Sequence, residues 1–65
     1  MVDVRALKAE MVRKGYNNEA LAKEIGITPR TFSTRLKKRD FGVKEIEIIM
    51  KTLDIVDPVP IFFAN

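Results

Sequence analysis

Apolar residues recur three or four positions apart along most of the chain. This spacing places side chains on one face of an α-helix. It predicts amphipathic helices over residues 3–14, 18–25, 29–38 and 43–53. Their inward faces would carry Val4, Leu7, Met11, Leu21, Ala22, Ile25, Phe32, Leu36, Ile46, Ile49, Met50 and Leu53. Because no segment alternates polar and apolar residues as a half-buried strand does, we expect an all-α fold. The length of 65 residues indicates one domain, spanning residues 1–65.

The boundary between the second and third helices has clear local signals. Asn17 and Asn18 both suit the start of the second helix, since either side chain can accept a hydrogen bond from a backbone N–H of the first turn. Gly26 can adopt the left-handed conformation that closes a helix. Thr28 is a suitable N-cap for the third helix, and Pro29 fits the first helical position, where a missing N–H costs nothing. We therefore expect a tight turn between these helices.

Two further segments lie outside the four predicted helices. Residues 39–42 form a connection in which Phe41 is expected to insert into the core. The end of the chain, DIVDPVPIFFAN, predicts one short helical turn with Asp57 as its cap and Pro58 as its first residue. Ile61 and Phe62 are expected to cover the bottom of the core.

The composition argues against an enzyme and against a metal or cofactor site. The chain contains no Cys and no His, so it lacks thiolate ligands and the commonest general base. It shows neither a Gly-rich phosphate loop nor a cluster of metal ligands. We therefore expect no catalytic residues, no metal, no cofactor and no small-molecule ligand. The charged N-terminus excludes a secretory signal. The longest apolar run near the C-terminus, residues 59–64, is far shorter than the about 20 residues needed to span a bilayer.

Positive charge is concentrated in one stretch. The net charge is +3, yet residues 30–44 hold six basic side chains against one acidic side chain, a local excess of five. A basic run is most often only a solvated face. Concentrated on one predicted helix and the connection after it, however, it indicates a polyanionic partner.

The turn at Gly26 supports the same partner. Two short helices joined by a turn of three or four residues containing Gly form the helix-turn-helix unit, whose second helix lies in the DNA major groove. Ala22 provides the small residue needed where the helices cross. The outer face of the second helix carries no large hydrophobic residue. A helical hairpin with a Gly turn is also common in small helical proteins, so the pattern alone leaves a purely structural interpretation open.

The segment LAKEIGITPRTFSTRL resembles the helix-turn-helix of the lambda-repressor/Cro-type family of phage and bacterial regulators. The wider pattern of Phe41, EIEIIMKTL and a terminal IFFA is similar to short Cro-like regulators of phages and prophages of Gram-positive bacteria. The resemblance implies a compact four- to five-helix lambda-repressor-like DNA-binding domain whose helix-turn-helix core spans residues 18–37. In one departure, Arg35 occupies a usually apolar position, and Leu36 is expected to take its role.

The resemblance also implies two sets of DNA contacts. Base contacts would come from the start and outer face of the third helix, namely Thr28, Pro29, Arg30, Ser33, Thr34 and Lys37. Phosphate contacts would come from Asn17, Asn18, Lys38, Arg39 and Lys44. Arg30 is well suited to guanine, because its guanidinium can donate two hydrogen bonds to O6 and N7.

The apolar end of the chain suggests association. Ile48, Val59 and Phe63 could form a homodimer surface, at least on DNA, because monomers rarely leave such a patch exposed. A symmetric dimer would place two recognition helices about 34 Å apart on a palindromic operator.

These observations predict a sequence-specific double-stranded DNA-binding transcriptional regulator of the bacterial cytoplasm, of the Cro-like repressor kind, that would be nucleoid-associated through its DNA binding. The sequence also leaves open that the chain is an excised N-terminal domain of a longer repressor. The alternative is a protein-interaction module, antitoxin-like or an adaptor, that uses the apolar C-terminus. The polar and basic outer face of the third helix favours DNA.

Overall fold

Five α-helices form the part of the chain that the computed structural model describes, residues 1–64. They are α1 (Val4–Lys14), α2 (Asn18–Ile25), α3 (Pro29–Lys38), α4 (Val43–Leu53) and α5 (Val59–Phe62). No strand occurs within this range, which confirms the all-α prediction. Residue 65, the last of the predicted domain, lies outside the described residues. None of the described helices has the length and apolar character needed to cross a membrane.

Side-chain caps determine where the first three helices begin. The carboxylate of Asp3 accepts a hydrogen bond from Ala6 N at 3.1 Å at the start of α1. At α2, Asn17 Oδ1 accepts from Ala20 N at 2.7 Å. At α3, Thr28 Oγ1 accepts from Thr31 N at 3.1 Å. Each bond satisfies a backbone donor that has no partner within its own helix.

Four helices end in the same way. The residue after each is left-handed, with φ of 77° at Gly15, 88° at Gly26, 54° at Arg39 and 53° at Asp54. In every case the next amide donates to the carbonyl five residues earlier, as in a Schellman motif. Two of the four left-handed residues are not glycine. This conformation costs an L-residue roughly 1–2 kcal/mol, which the surrounding contacts must offset.

The core lies around α2, which packs against both α3 and α4. Leu21 and Ala22 of α2 are fully buried, as is Phe32 of α3. The ring of Phe41 lies 5.6 Å from that of Phe32, with an angle of 51° between the ring planes, a tilted aromatic contact. Phe41 therefore anchors the connection between α3 and α4 to the core, as the sequence predicts. The buried apolar residues are Val2, Leu7, Met11, Leu21, Ala22, Phe32, Leu36, Phe41, Ile49, Leu53, Ile55, Ile61 and Phe62.

The end of α1 holds the end of α4. Arg13 Nη2 donates to the carbonyl of Leu53 at 3.2 Å, and Lys14 Nζ donates to Asp54 Oδ2 at 2.6 Å. The hydrogen bond and charge of Lys14 lower the pKa of the Asp54 carboxyl below its ordinary value. Both contacts place positive charge at the negative end of the α4 dipole.

The N-terminal segment joins two distant parts of the chain. Val2 N donates to the carbonyl of Arg39 at 3.2 Å, and Asp3 N donates to the carbonyl of Ile61 at 2.6 Å. Val2 itself is buried. The end of α3 and the short helix α5 are therefore linked through this segment.

The last helix begins one residue later than the sequence predicts. Pro58 is its N-cap and not its first residue, because the Pro58 carbonyl accepts from the amides of Ile61 at 3.1 Å and Phe62 at 2.8 Å. Asp57 still contributes, since its Oδ1 accepts from Val59 N at 3.1 Å. Ile61 and Phe62 are buried, as expected.

Candidate nucleic-acid interface

The outer face of α3 is polar and basic. Phe32 and Leu36, one turn apart, face the core. The residues predicted to contact bases are all exposed, and they are Thr28, Pro29, Arg30, Ser33, Thr34 and Lys37. No acidic residue occurs in this helix. The face therefore presents hydrogen-bonding groups and positive charge over its whole length.

The side chains on this face differ in how much hydrogen-bonding capacity they retain. Thr28 Oγ1 is used as the helix cap and donates to Thr31 Oγ1 at 2.9 Å. Thr34 Oγ1 donates to the carbonyl of Arg30 at 3.1 Å. Thr28 therefore offers an outside partner its methyl group and one lone pair, and Thr34 offers its methyl group and two lone pairs.

Three other side chains of α3 retain their donors. Within residues 1–64, the side chains of Arg30, Ser33 and Lys37 take part in no hydrogen bond. Arg30 has five N–H donors in a planar fork, Lys37 has three, and Ser33 has one hydroxyl that can donate or accept. These three residues carry most of the donor capacity of the face.

The start of α2 lies beside the start of α3. An open groove of about 640 Å³ is lined by Asn17 and Asn18 at the beginning of α2 and by Pro29, the first residue of α3. Asn17 uses its Oδ1 as a cap, so its amide N–H₂ can donate elsewhere. The first backbone N–H groups of α2 point out of the same helix end. Lys8 of α1 and Tyr16, in the connection between α1 and α2, line this groove as well, and the sequence pattern did not indicate either of them.

The remaining predicted phosphate contacts surround the other end of α3. Lys38, Arg39 and Lys44 are all exposed. Arg39 closes α3 in the left-handed conformation, and its carbonyl accepts from Val2 N. Lys44 lines an open groove of about 510 Å³ with Arg35 and residues of the connection between α3 and α4. The basic side chains thus extend from α3 onto the first turn of α4.

One charge in the basic stretch is neutralised inside the protein. Arg35 Nε and Nη2 lie 3.1 Å and 3.0 Å from Glu45 Oε2. The other carboxylate oxygen, Oε1, accepts from Gly42 N at 2.8 Å and caps α4. The sequence pattern did not indicate this ion pair. The basic stretch ends at Lys44, one residue before Glu45, the acidic partner of Arg35. The pattern S/T/G-x-x-E at a predicted helix start could have indicated the cap, but not the partner of Arg35.

The predicted association residues are brought together only in part. Val59, the first residue of α5, and Phe63, the residue after its end, each have 57% of their surface exposed, and Phe63 N donates to the carbonyl of Val59 at 3.0 Å. These two exposed residues are called the apolar patch. Ile48 is half-buried on α4 and is not among the residues packed against the core. Helix α5 packs mainly against α1, and not to a comparable extent against α4, the helix that carries Ile48.

The chemistry available on these surfaces is binding by hydrogen bonds, charge and apolar contact. Within the described part of the chain, no group of three His, Cys, Asp or Glu side chains could hold a metal ion. Comparisons of the chain with protein-family models, with curated proteins and with solved structures gave no match.

Proposed function

We propose that this protein binds double-stranded DNA in a sequence-specific way and regulates transcription by occupying an operator, as a Cro-like repressor would. The observation that carries the proposal is the outer face of α3, which is exposed, polar and basic along its length. The packing of α2 against α3 supports it, because the first helix of a helix-turn-helix holds the second against the major groove. The left-handed Gly26 between them supplies the required turn.

Base recognition would fall mainly on Arg30. Its guanidinium is exposed and has no partner among residues 1–64, so both N–H groups of its fork could be donated to guanine O6 and N7. Ser33 would donate or accept at base edges, and Lys37 would donate. Thr28 and Thr34 would contribute mainly apolar contact, for which the thymine methyl group is a suitable partner.

Positioning on the duplex would come from both ends of α3. Asn17 and Asn18 would contact phosphates at one end, where the start of α2 lines a groove with Pro29. Lys38, Arg39 and Lys44 would contact phosphates at the other end. Phosphate contacts determine register and supply most of the sequence-independent affinity.

The Lys38→Ala variant tests this arrangement. It should weaken binding to every duplex by a similar factor and reduce the slope of log affinity against log salt concentration by about 0.9, because one phosphate contact is lost. Fluorescence anisotropy with an end-labelled duplex at several salt concentrations measures both quantities.

Lys51→Ala is the matched control for this experiment. Lys51 is also an exposed lysine, but it lies in the last turn of α4, whereas Lys44 lies in the first. Its loss should leave the slope unchanged. Equal effects of the two variants would show that only overall charge matters and that the proposed surface is wrong.

The apolar patch of Val59 and Phe63 favours a protein contact in addition. We propose a second copy of the chain as its partner, because two copies related by a two-fold axis would present two α3 helices to one palindromic operator. A different protein partner, as in an interaction module, is the second candidate function, and the same exposed patch supports it.

Phe63→Ser should weaken association of the chain with itself on DNA. Size-exclusion chromatography with light scattering, on the free protein and on its complex with duplex, measures the mass of each species. Val12→Ser is the control for the free protein, since Val12 is an exposed apolar residue on α1, outside the apolar patch. It is not used for the complex, because Val12 lines the groove that contains Asn17 and Asn18. A parent protein that remains a monomer both free and on its operator would refute the homodimer.

A further inference from the structure

The ion pair between Arg35 and Glu45 lies at the edge of the proposed DNA-binding surface. Arg35 lies beside the exposed face of α3, three residues before Lys38. The side chains of Arg35 and Lys38 are therefore neighbours on the helix. It also lines one groove together with Lys44. Two residues to which we assign phosphate contacts therefore flank Arg35. The Arg35 side chain remains 42% exposed, which leaves it close enough to solvent to reach a phosphate if it were released.

Glu45 holds Arg35 with a carboxylate whose two oxygens both have partners. Its Oε2 accepts a hydrogen bond from Arg35 Nε at 3.1 Å and lies 3.0 Å from Nη2 of the same guanidinium as an ion pair. Its Oε1 is retained by Gly42 N at 2.8 Å. Only 15% of the Glu45 side chain is exposed, so water screens the pair less than it would screen a fully exposed one. Both oxygens of the carboxylate are thus occupied, and charge-assisted bonds of this kind are stronger than neutral ones.

We propose that Glu45 withholds Arg35 from the phosphate backbone and thereby limits the sequence-independent part of DNA binding. Glu45 is then a positioning residue that acts through Arg35. The inference rests on the proposed DNA-binding function. Its physical basis is that each additional phosphate contact raises affinity for every duplex alike, whereas contacts to base edges discriminate between sequences.

Glu45→Gln is the principal test. Gln retains an oxygen that can accept from Gly42 N, and Gln is accepted at this position of a capping box, so α4 should still form. The neutral amide holds the guanidinium much less strongly. Anisotropy with a duplex of scrambled sequence should show a salt slope steeper by about 0.9, corresponding to one more phosphate contact. With that slope, the ratio of the variant's affinity to the parent's affinity is roughly eightfold higher at about 0.1 M salt than at 1 M salt.

Glu47→Gln separates release of Arg35 from a general change of charge. Glu47 lies on the same helix, is exposed, and takes part in no ion pair within residues 1–64. It gives the same change in net charge but should leave the salt slope near that of the parent. The double variant Arg35→Gln/Glu45→Gln should return the slope to the parent value, because the released cation is then absent.

Arg35→Gln alone provides a test that leaves Glu45 unchanged. Since the parent makes no phosphate contact through Arg35, this variant should keep the parent slope, whereas Lys38→Gln should lose about 0.9. Thermal unfolding followed by circular dichroism establishes that each variant is folded.

Two failures can be distinguished. If the parent binds no duplex at low salt, the proposed function fails and the inference fails with it. If the parent binds and Lys38→Gln weakens binding, yet Glu45→Gln shows no steeper slope or Arg35→Gln loses slope as Lys38→Gln does, only the role of Glu45 is overturned.

Discussion

Replacement of Phe32 by Ala is expected to lower the free energy of unfolding by about 3–5 kcal/mol. Phe32 is fully buried, and its ring contacts that of Phe41. The truncation removes apolar contacts and leaves a cavity that the short helices around it can only partly close. A domain of this length has a total stability of roughly 3–10 kcal/mol, so the variant should be largely unfolded or close to it. Urea unfolding followed by circular dichroism measures the change.

Phe63→Ala is the matched control for this substitution. It removes the same atoms from a site that is 57% exposed, so at protein concentrations where the chain is monomeric it should cost less than about 1 kcal/mol. A small loss for Phe32→Ala, comparable to that of the control, would contradict the placement of Phe32 at the centre of the core.

Replacement of Arg30 by Ala is expected to weaken binding to the preferred duplex by about 1–3 kcal/mol and to relax the preference at one base position. The guanidinium is exposed on α3 and has no partner within the described residues, so nothing inside the protein competes for its donors. Competition binding with duplexes substituted at single positions measures both effects.

Arg30→Lys is the informative companion variant. It keeps the positive charge but lacks the planar fork that donates two parallel hydrogen bonds. Affinity for a scrambled duplex should therefore stay near that of the parent, while the preference at one position falls. If Arg30→Ala instead weakened binding to all duplexes equally, Arg30 would be a phosphate contact.

Local chemistry explains why much of the fold was predictable. The bounds predicted for α2, α3 and α4 agree with the structure because their start and stop signals lie within a few residues of each boundary. Gly26 has the left-handed conformation that its lack of a side chain allows, and Thr28 makes the expected capping bond. These interactions depend on neighbours in sequence and therefore leave a signature in it.

Contacts between distant residues were not predictable in the same way. Nothing near Val2 indicates that its amide bonds to Arg39, at the end of α3. Arg39 and Asp54 are left-handed although neither is glycine, and each also makes a contact with the N-terminal part of the chain, Arg39 with Val2 and Asp54 with Lys14. The start of α5 differs by one residue for a different, local reason, since the carbonyl of Pro58 accepts from the amides of Ile61 and Phe62, three and four residues later.

The candidate site follows the same division. Helical periodicity alone places Arg30, Ser33 and Lys37 on the exposed face of α3. Whether a given side chain is available there depends on its neighbours in space. Arg35 pairs with Glu45 on α4, ten residues further along the chain, so the charge available to a partner is smaller than composition suggests.

We propose that this protein recognises a DNA sequence, and in vitro selection is a direct test of that function. A randomised duplex library is passed over the purified protein, and the retained duplexes are sequenced over successive rounds. We expect enrichment of a palindrome whose half-sites lie about one helical turn apart, near 34 Å. We also expect a guanine preference that disappears in Arg30→Ala. Failure of a folded protein to enrich any sequence at low salt would contradict the account.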